Sequence, residues 1–174
     1  IFFFFFGYTA DLIAEFPDIT RKMKTPTESD LFLDVNDDVP LDNQLKDKYL
    51  RTVAKINWLA TQTRPDLKLA SSWLASRANN PNKSDWMKLE HVLGYLLGTK
   101  EYGIKISNGD NQLRVWVDAA HMIHNDLKGQ SGYIIKSGNN FIGASSKKQK
   151  ITAQSSTEAE MIAMNDAVNE IINA

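Results

Sequence analysis

The sequence predicts an α+β fold, in which helices come first, an antiparallel β-meander follows and a last helix packs on the resulting sheet. Two observations predict it. Apolar residues recur every three or four positions up to Gly98, as on one face of a helix, whereas after Gly103 they alternate, as in a strand. Helical spacing then returns beyond Gln154.

Length and composition are those of one ordinary domain, or of one domain with an appendage. The chain has 174 residues, of which 43% are hydrophobic and 10% aromatic, enough to bury a core. Twenty basic and twenty-one acidic side chains give a net charge of −1, so total charge indicates no partner. The absence of cysteine excludes disulfide scaffolds and cysteine-based zinc sites, and it fits a reducing intracellular compartment.

Neither end of the sequence predicts a targeting or membrane segment. The opening IFFFFFG is apolar, but it has no basic flank and is too short for a signal peptide or a membrane span. It lacks an initiator methionine, and the last residues, MNDAVNEIINA, stop inside a helical pattern without a glycine or proline terminator. We therefore expect the chain to be a fragment of a longer polypeptide.

The N-terminal part predicts a short helix and then a linker. Residues 8–16 have the apolar spacing of the helix. Residues 17–48 are rich in Pro, Asp and Thr, and they predict an acidic, extended linker of low order.

Three helices are predicted from Tyr49 onward. The TRPD turn at 63–66 ends the first and places Pro65 at the start of the second. Asn79–Pro81 ends the second, and Ser84 is the predicted N-cap of the third. Their apolar positions predict three buried helix faces: Tyr49, Val53, Ile56 and Leu59; Leu67, Ala70, Trp73 and Leu74; Trp86, Leu89, Leu93 and Leu96.

Alternating residues and turn dipeptides predict the strands. A strand with alternating apolar residues at 113–117 follows the Asn108-Gly109 turn signal. Two more strands are predicted at 132–136 and 140–146, separated by the Gly138-Asn139 turn. Together these segments indicate an antiparallel meander.

The final helix is predicted to begin in QSSTEAE, where Ser155 and Glu158 form a capping-box pattern and Thr157 with Glu160 forms a competing one. Glu160 falls at the edge of the apolar stripe that we expect to pack on the sheet, whereas Glu158 projects toward the polar side. Glu160 is therefore the carboxylate expected to approach the sheet. The stripe is Met161, Met164, Ala167, Val168, Ile171 and Ile172.

Asp118 and Glu160 are the carboxylates that we expect to act together. Strand parity puts Asp118 at the strand end, on the face of Trp116 and Arg114. Carboxylates that hold a divalent cation, beside lysines that meet phosphates, are typical of phosphodiester chemistry. The alternative is that Glu160 only supports a helix cap and Asp118 only ends a strand.

The basic run Lys147, Lys148 and Lys150 lies between these two carboxylates in the sequence. Residues 112–157 carry six basic and two acidic side chains, so this region is mildly basic and compatible with nucleic acid. We predict that the three lysines bind nucleic acid. The alternative is that they are ordinary solvated lysines.

His121 and His124, with Asp118 and Asp126, could also suggest a metal cluster. The segment AAHMIHND has no HExxH pattern, and a separation of three residues suits a helical turn better than this loop. A structural role is favoured for His124, and its role otherwise stays open.

Four segments resemble, in this order, the C-terminal part of copia-type retrotransposon Pol polyproteins: YLRTVAKINWLATQTRPDLKLASSWLAS, HVLGYLLGTKEYGI, WVDAAHMIHNDLKGQSGYI and SSKKQKITAQSSTEAEMIA. The N-terminal YTADLIAEFPDITRKMKTPTESD is similar to the end of the reverse transcriptase region. The resemblance covers nearly the whole chain. It implies the end of reverse transcriptase and an acidic linker at 1–48, a helical connecting segment at 49–100 and a partial RNase H-like domain, truncated at the C-terminus, at 101–174.

The resemblance also implies an activity, namely hydrolysis of the RNA strand in RNA–DNA hybrids with two Mg²⁺ ions. Asp118 matches the first-strand catalytic aspartate and Glu160 the glutamate of the first helix. Many relatives carry a second acid where this chain has Ala120. The expected partners are nucleic acid and the remainder of the polyprotein, with no membrane, in the cytoplasm, a virus-like particle or the nucleus.

The family places its third and fourth metal-binding aspartates after the final helix of this chain. We therefore expect negligible nuclease activity from these 174 residues alone and one unpaired side of the sheet. The alternative is a non-catalytic nucleic-acid-binding or scaffolding remnant of a decayed or repurposed retroelement.

Overall fold

The computed structural model describes residues 1–33, 39–110 and 112–172. It is a mixed helix and sheet structure, so the predicted order of helices, antiparallel strands and a last helix is confirmed. The elements are β1 (Phe2–Phe3), α1 (Phe6–Ala14), α2 (Asn43–Gln62), a 3-10 turn (Pro65–Leu67), α3 (Lys68–Ser76), α4 (Lys83–Gly98), β2 (Ile104–Lys105), β3 (Leu113–Ala120), β4 (Gln130–Ser137), β5 (Asn140–Lys148) and α5 (Ser156–Ile172).

The chain divides into two compact units. The helical unit spans Phe2–Ile104, and the sheet unit spans Lys105–Ala174 and includes Ile1. Strands β1 and β2 pair with each other, and the sheet unit contains a separate three-stranded sheet in the order β3-β4-β5. In the part of the chain that the structure describes, no helix is both long and apolar enough to cross a membrane. The predicted boundaries at residues 48 and 100 stay predictions.

In the helical unit, the apolar faces predicted for the three central helices form the core. Helix α2 begins at Asn43, six residues before the predicted start, because the side chain of Asp42 caps it by accepting a hydrogen bond from the backbone N–H of Leu45 at 2.8 Å. The predicted cap at Ser84 is wrong. Asn82 caps α4 instead, and it exchanges hydrogen bonds with Asp85 in a capping box.

The segment predicted as an extended linker packs on the helices where the structure describes it. Leu31 is buried, and Ile19, Met23 and Phe32 pack against the helical core. The backbone N–H of Met23 donates to the carbonyl of Gly94 at 3.1 Å. These apolar residues are widely spaced among Pro, Asp and Thr residues, so their packing could not be predicted from the sequence pattern. The acidic residues Asp34, Asp37 and Asp38 lie outside the described residues.

The TRPD turn is held by a buried arginine. Arg64 is almost fully buried, and its guanidinium donates to Asp66 at 2.8 Å, to the Thr99 carbonyl at 2.9 Å and to the Thr99 hydroxyl at 2.8 Å. The hydroxyl of Tyr95 donates to the same Asp66 carboxylate at 2.9 Å. Because the charge is paired and its hydrogen bonds are made, its burial is tolerated. The turn after α2 is thereby tied to the C-terminal end of α4.

In the sheet unit, α5 covers one face of β3 and β4. Val115 and Val117 lie opposite Ile135 and Tyr133 in the antiparallel register, and these four residues pack against Ala167 and Ile171 of the helix. This face carries the core of the unit. The other face carries Trp116 and Ile134, which are exposed.

The predicted packing stripe of α5 is confirmed at Ala167 and Ile171 and is wrong at its other positions. Met161, Met164 and Val168 are 65%, 54% and 50% exposed, and Ile172 is exposed as well. The residues that are buried are Ala159, Ala163 and Ala167, which recur every four positions. Small side chains let the helix axis approach the sheet closely, whereas the longer apolar side chains are left on the outer flank.

We predict that Arg64→Ala lowers the free energy of unfolding by about 3 kcal/mol or more, because it removes several hydrogen bonds and leaves Asp66 without its cation. The exposed Arg51 on α2 is the matched control, and Arg51→Ala should change stability by less than about 0.5 kcal/mol. Urea unfolding followed by far-ultraviolet circular dichroism measures both. Equal effects of the two substitutions would contradict the role given to Arg64.

Candidate functional site

Asp118 lies on β3, two residues before the strand ends at Ala120. Its register partner on β4 is Gly132, and the partner of Gly132 on β5 is Ser146. Because side chains alternate along a strand, Asp118 lies on the face of Trp116, opposite the face that α5 covers. The side chain is exposed, and one of its carboxylate oxygens accepts from the N–H of Ala119 at 2.9 Å.

A chain of polar side chains lies on the same face of the sheet, beside Asp118. Nε2 of His124 is 2.9 Å from the side-chain oxygen of Gln130, and the side-chain amide of Gln130 donates to the hydroxyl of Ser146 at 2.8 Å. His124 and Gln130 are buried. Since Gln130 uses its amide N–H toward Ser146, its oxygen is the acceptor and the proton sits on Nε2 of His124.

Burial is the main effect on the charge of His124, and it lowers the pKa of the imidazole below its ordinary value. The nearby Lys148 acts in the same direction, whereas the hydrogen bond to Gln130 and the charge of Asp126 oppose the shift. His124 is thus a neutral, hydrogen-bonded member of the loop between β3 and β4. This supports the structural role favoured from the sequence.

Hydrogen bonds at the start of α5 show that Glu158, rather than Glu160, belongs to the helix cap. The backbone N–H of Glu158 donates to the Ser155 hydroxyl at 3.2 Å, and the Glu158 carboxylate accepts from the N–H of Gln154 at 2.7 Å. The Ser155 and Glu158 register is therefore the one that forms. The alternative in which Glu160 serves the cap is wrong, so its carboxylate is available for another role.

Glu160 is exposed on the first turns of α5, about 60° around the helix from the centre of the alanine stripe. It therefore flanks the packed face, although that face differs from the predicted one. Asp118 lies on the face of the sheet that α5 does not cover, and the shared cation position stays a prediction. The oxygen donors of both residues suit Mg²⁺, but two carboxylates make a poor two-ion site.

The histidines and carboxylates of the loop after β3 were weighed as a metal cluster and disfavoured from the sequence; among the residues that the structure describes, no three side chains of this kind gather to hold a metal ion. Asp126 is engaged with lysines instead, and these hold the pKa of its carboxyl below the usual range, the hydrogen bond from Lys148 most of all.

The three predicted lysines line one pocket of about 260 Å³ between β5 and α5. Lys148 forms an ion pair with Asp126 at 2.8 Å, and Lys147 lies 3.9 Å from Glu170. Lys150 is exposed and forms no ion pair with any residue described. The other residues that line this pocket are Ser131, Tyr133, Ser145, Asp166, Asn169 and Glu170.

Gln149, between these lysines, anchors the helix to the sheet, and sequence reasoning missed it. Its side-chain amide donates to the carbonyl of Ala159 at 2.8 Å and to the hydroxyl of Ser131 at 3.2 Å. Gly129 makes room for it, because a Cβ there would lie 2.4 Å from the Gln149 side-chain oxygen. In the sequence, Gln149 is a single polar residue inside a basic run. Such an arrangement is too common to predict a role for the residue.

A larger pocket, of about 620 Å³, lies in the helical unit. Its walls come from the segment that was predicted to be a linker and from α4, and they include Ile19, Leu31, Met87, Lys88 and His91. None of the predicted site residues lines it. Acidic and basic side chains are mixed around it, so its lining favours no charged ligand.

Comparisons with known proteins agree with the resemblance seen in the sequence. The chain is 34% identical over 167 residues, or 94% of its length, to the "Retrovirus-related Pol polyprotein from transposon RE2" of Arabidopsis thaliana. It is 33% identical over 75% of its length to the corresponding polyprotein from transposon TNT 1-94 of Nicotiana tabacum. These matches cover 11% and 10% of the two polyproteins. The chain thus spans about a tenth of their length.

A third relative is much shorter. The chain is 33% identical over 126 residues to the "Secreted RxLR effector protein 161" of Plasmopara viticola, and this match covers 71% of the chain and 89% of that protein. No family model and no solved structure matches the chain.

The matched regions define the class of protein, a segment of a retroelement polyprotein. The chain belongs to the copia-type retrotransposon Pol polyprotein family.

We predict that His124 makes the stability of the sheet unit depend on pH. Its folded pKa is lowered, so the unfolded chain takes up the proton first, and stability is lost as the pH falls from the unfolded value through the folded one. The measurement is the free energy of unfolding between neutral and mildly acidic pH. His124→Gln should flatten this dependence. Parallel curves for the two proteins would show that the buried imidazole has no such effect.

Proposed function

We propose that the sheet unit is the N-terminal part of a ribonuclease H-like domain and that the preceding helices connect it to a reverse transcriptase. In the longer polyprotein, this domain hydrolyses the RNA strand of RNA–DNA hybrids with Mg²⁺. One observation carries the proposal: a family member folds into a three-stranded antiparallel meander and a helix, with Asp118 exposed on the first strand and Glu160 on the helix that follows.

The chemistry needs carboxylate oxygens and phosphate-binding cations. Asp118 and Glu160 supply the carboxylates, and both are exposed and outside the helix cap, so they are available as ligands. Bound Mg²⁺ ions would activate the attacking water and stabilise the leaving oxygen of the phosphodiester. Lys147, Lys148 and Lys150, which line the pocket between β5 and α5, would hold the phosphate backbone of the hybrid.

These 174 residues alone supply too few ligands for that reaction. Mg²⁺ keeps several waters and needs further carboxylates for a two-ion site. Among the described residues, no group of three carboxylate or histidine side chains forms that could hold a metal ion. We therefore propose that the chain is inactive by itself and gains activity with the polyprotein segment that follows, in the cytoplasm or a virus-like particle.

We predict that Asp118→Asn and Glu160→Gln each lower hybrid cleavage by about a hundredfold or more, because each removes a ligand whose charge is needed in the transition state. The protein to use is this chain extended by the segment that follows the matched region in the RE2 relative. The readout is Mg²⁺-dependent cleavage of a labelled RNA–DNA hybrid. The unextended chain should show no cleavage.

Glu158→Gln is the matched control, because Glu158 lies two residues away but serves the helix cap. It should keep most of the activity. Cleavage that survives both Asp118→Asn and Glu160→Gln would refute the catalytic pair.

A second candidate function is that of a non-catalytic nucleic-acid-binding or scaffolding remnant. The similarity to the RxLR effector protein favours it, because the chain covers 89% of that protein, so a related segment makes up most of a protein far shorter than a polyprotein. In this case the fold and the lysine pocket would persist without the catalytic reaction. The two functions differ in whether the extended chain cleaves the hybrid or only binds it.

We predict that Lys150→Ala weakens binding to an RNA–DNA hybrid more than Lys147→Ala or Lys148→Ala does, because the latter two lysines are already paired with carboxylates. Removing one phosphate contact should also reduce the slope of log affinity against log salt concentration by about one, because about one counterion fewer is released on binding. Fluorescence anisotropy at several salt concentrations measures both. Lys128→Ala, outside the pocket, is the control, and equal losses at Lys128 and Lys150 would refute the assignment.

A further inference from the structure

Gln149 joins the start of α5 to the central strand of the sheet, on the face that the helix covers. Its side-chain nitrogen donates to the backbone carbonyl of Ala159 at 2.8 Å and to the hydroxyl of Ser131 on β4 at 3.2 Å. A carbonyl oxygen can only accept, so the amide is oriented with its nitrogen toward the helix. The side chain is buried, so solvent does not compete for these bonds.

Both hydrogen-bond partners of this glutamine are close to the candidate carboxylates along the backbone. Ala159 directly precedes Glu160 in α5. Ser131 is the register partner of Ala119, which directly follows Asp118 on β3. One side chain thereby links the backbone beside Glu160, through the central strand, to the backbone beside Asp118.

The apolar core of the sheet unit holds the other end of the helix. The residues of α5 that belong to this core are Ala167 and Ile171. Ala167 lies about 10 Å beyond Glu160 along the helix axis. Around Glu160 the buried residues of the helix are Ala159 and Ala163, whose single methyl groups offer little apolar surface. The placement of the first turns of α5 therefore depends on the glutamine more than on hydrophobic contacts.

The side-chain oxygen of Gln149 has no comparable contact. It is buried, and it accepts no hydrogen bond from any residue in the described part of the chain. Burial of an unpaired carbonyl lowers stability. Gln149 therefore stabilises the fold less than its two donated hydrogen bonds suggest, whereas its effect on the position of α5 is direct.

We propose that Gln149 is a positioning residue of the candidate site. It fixes the start of α5 against β4 and thereby holds Glu160 where it can share a Mg²⁺ site with Asp118. This inference rests on the proposed ribonuclease function of the extended chain. Metal ligands must be held to within about 0.5 Å of the productive geometry, and a displacement of about 1 Å can cost about a hundredfold in rate. Gln149 acts through the backbone of Ala159 and contacts neither metal nor substrate.

Gln149→Met in the extended chain tests the proposal, because methionine has a similar volume but donates no hydrogen bond. We expect kcat for cleavage of the RNA–DNA hybrid to fall about tenfold or more and the Mg²⁺ concentration at half-maximal rate to rise, with KM for the hybrid unchanged. Since the substitution also removes the unpaired buried oxygen, the midpoint of urea unfolding should stay close to that of the parent protein. Gln154→Met makes the same change at an exposed glutamine before α5 and should leave every readout unchanged.

A distance measurement tests the same role without nuclease activity. The chain contains no cysteine, so introduced cysteines carry spin labels at chosen positions only. One labelled pair is Met161→Cys with Ile142→Cys, and the other is Val168→Cys with Ile142→Cys; all three native side chains are exposed. In double electron–electron resonance of the 174-residue chain, Gln149→Met should broaden or shift the distance distribution of the first pair and leave that of the second unchanged.

An unchanged kcat in Gln149→Met overturns the proposal, and so does a loss of cleavage that only parallels a loss of folded protein. Distance distributions that stay the same, or that broaden equally for both pairs, overturn it as well, because the glutamine then has no particular effect on the start of α5. An extended parent chain that cleaves no hybrid refutes the proposed nuclease function instead. In that case the two distance distributions alone decide whether Gln149 positions the helix.

Discussion

The alternation of side chains along β3 is the constraint on which the sheet unit depends. One set of positions, with Val115 and Val117, packs against α5 and forms the core. The other set, with Trp116 and Asp118, faces away from the helix. A shift of one residue would bury the carboxylate and expose the valines, so the core itself fixes where Asp118 lies. The position of the candidate catalytic residue is thus a consequence of packing.

The strands were predictable because their signals are local, whereas the packed face of α5 was predicted only in part, at Ala167 and Ile171. Turn dipeptides and alternation placed β3, β4 and β5 to within a few residues. For α5, hydrophobicity ranks methionine above alanine, so the stripe through Met161 and Met164 looked like the core face. Close packing of a helix on a sheet favoured the stripe through Ala163 instead. Which of two apolar stripes packs against the sheet depends on the distance between the helix and the sheet. The periodicity of the sequence carries no information about that distance.

The candidate site was predictable in its residues and only partly in its geometry. The Ser155 cap could be read from the sequence because both of its partners are neighbours in the chain. The ion pairs of Lys147 with Glu170 and of Lys148 with Asp126 could not, since they join residues more than twenty positions apart. These pairs leave Lys150 as the lysine of the run that has no carboxylate partner among the described residues. A basic run therefore overstates the positive charge that a ligand meets.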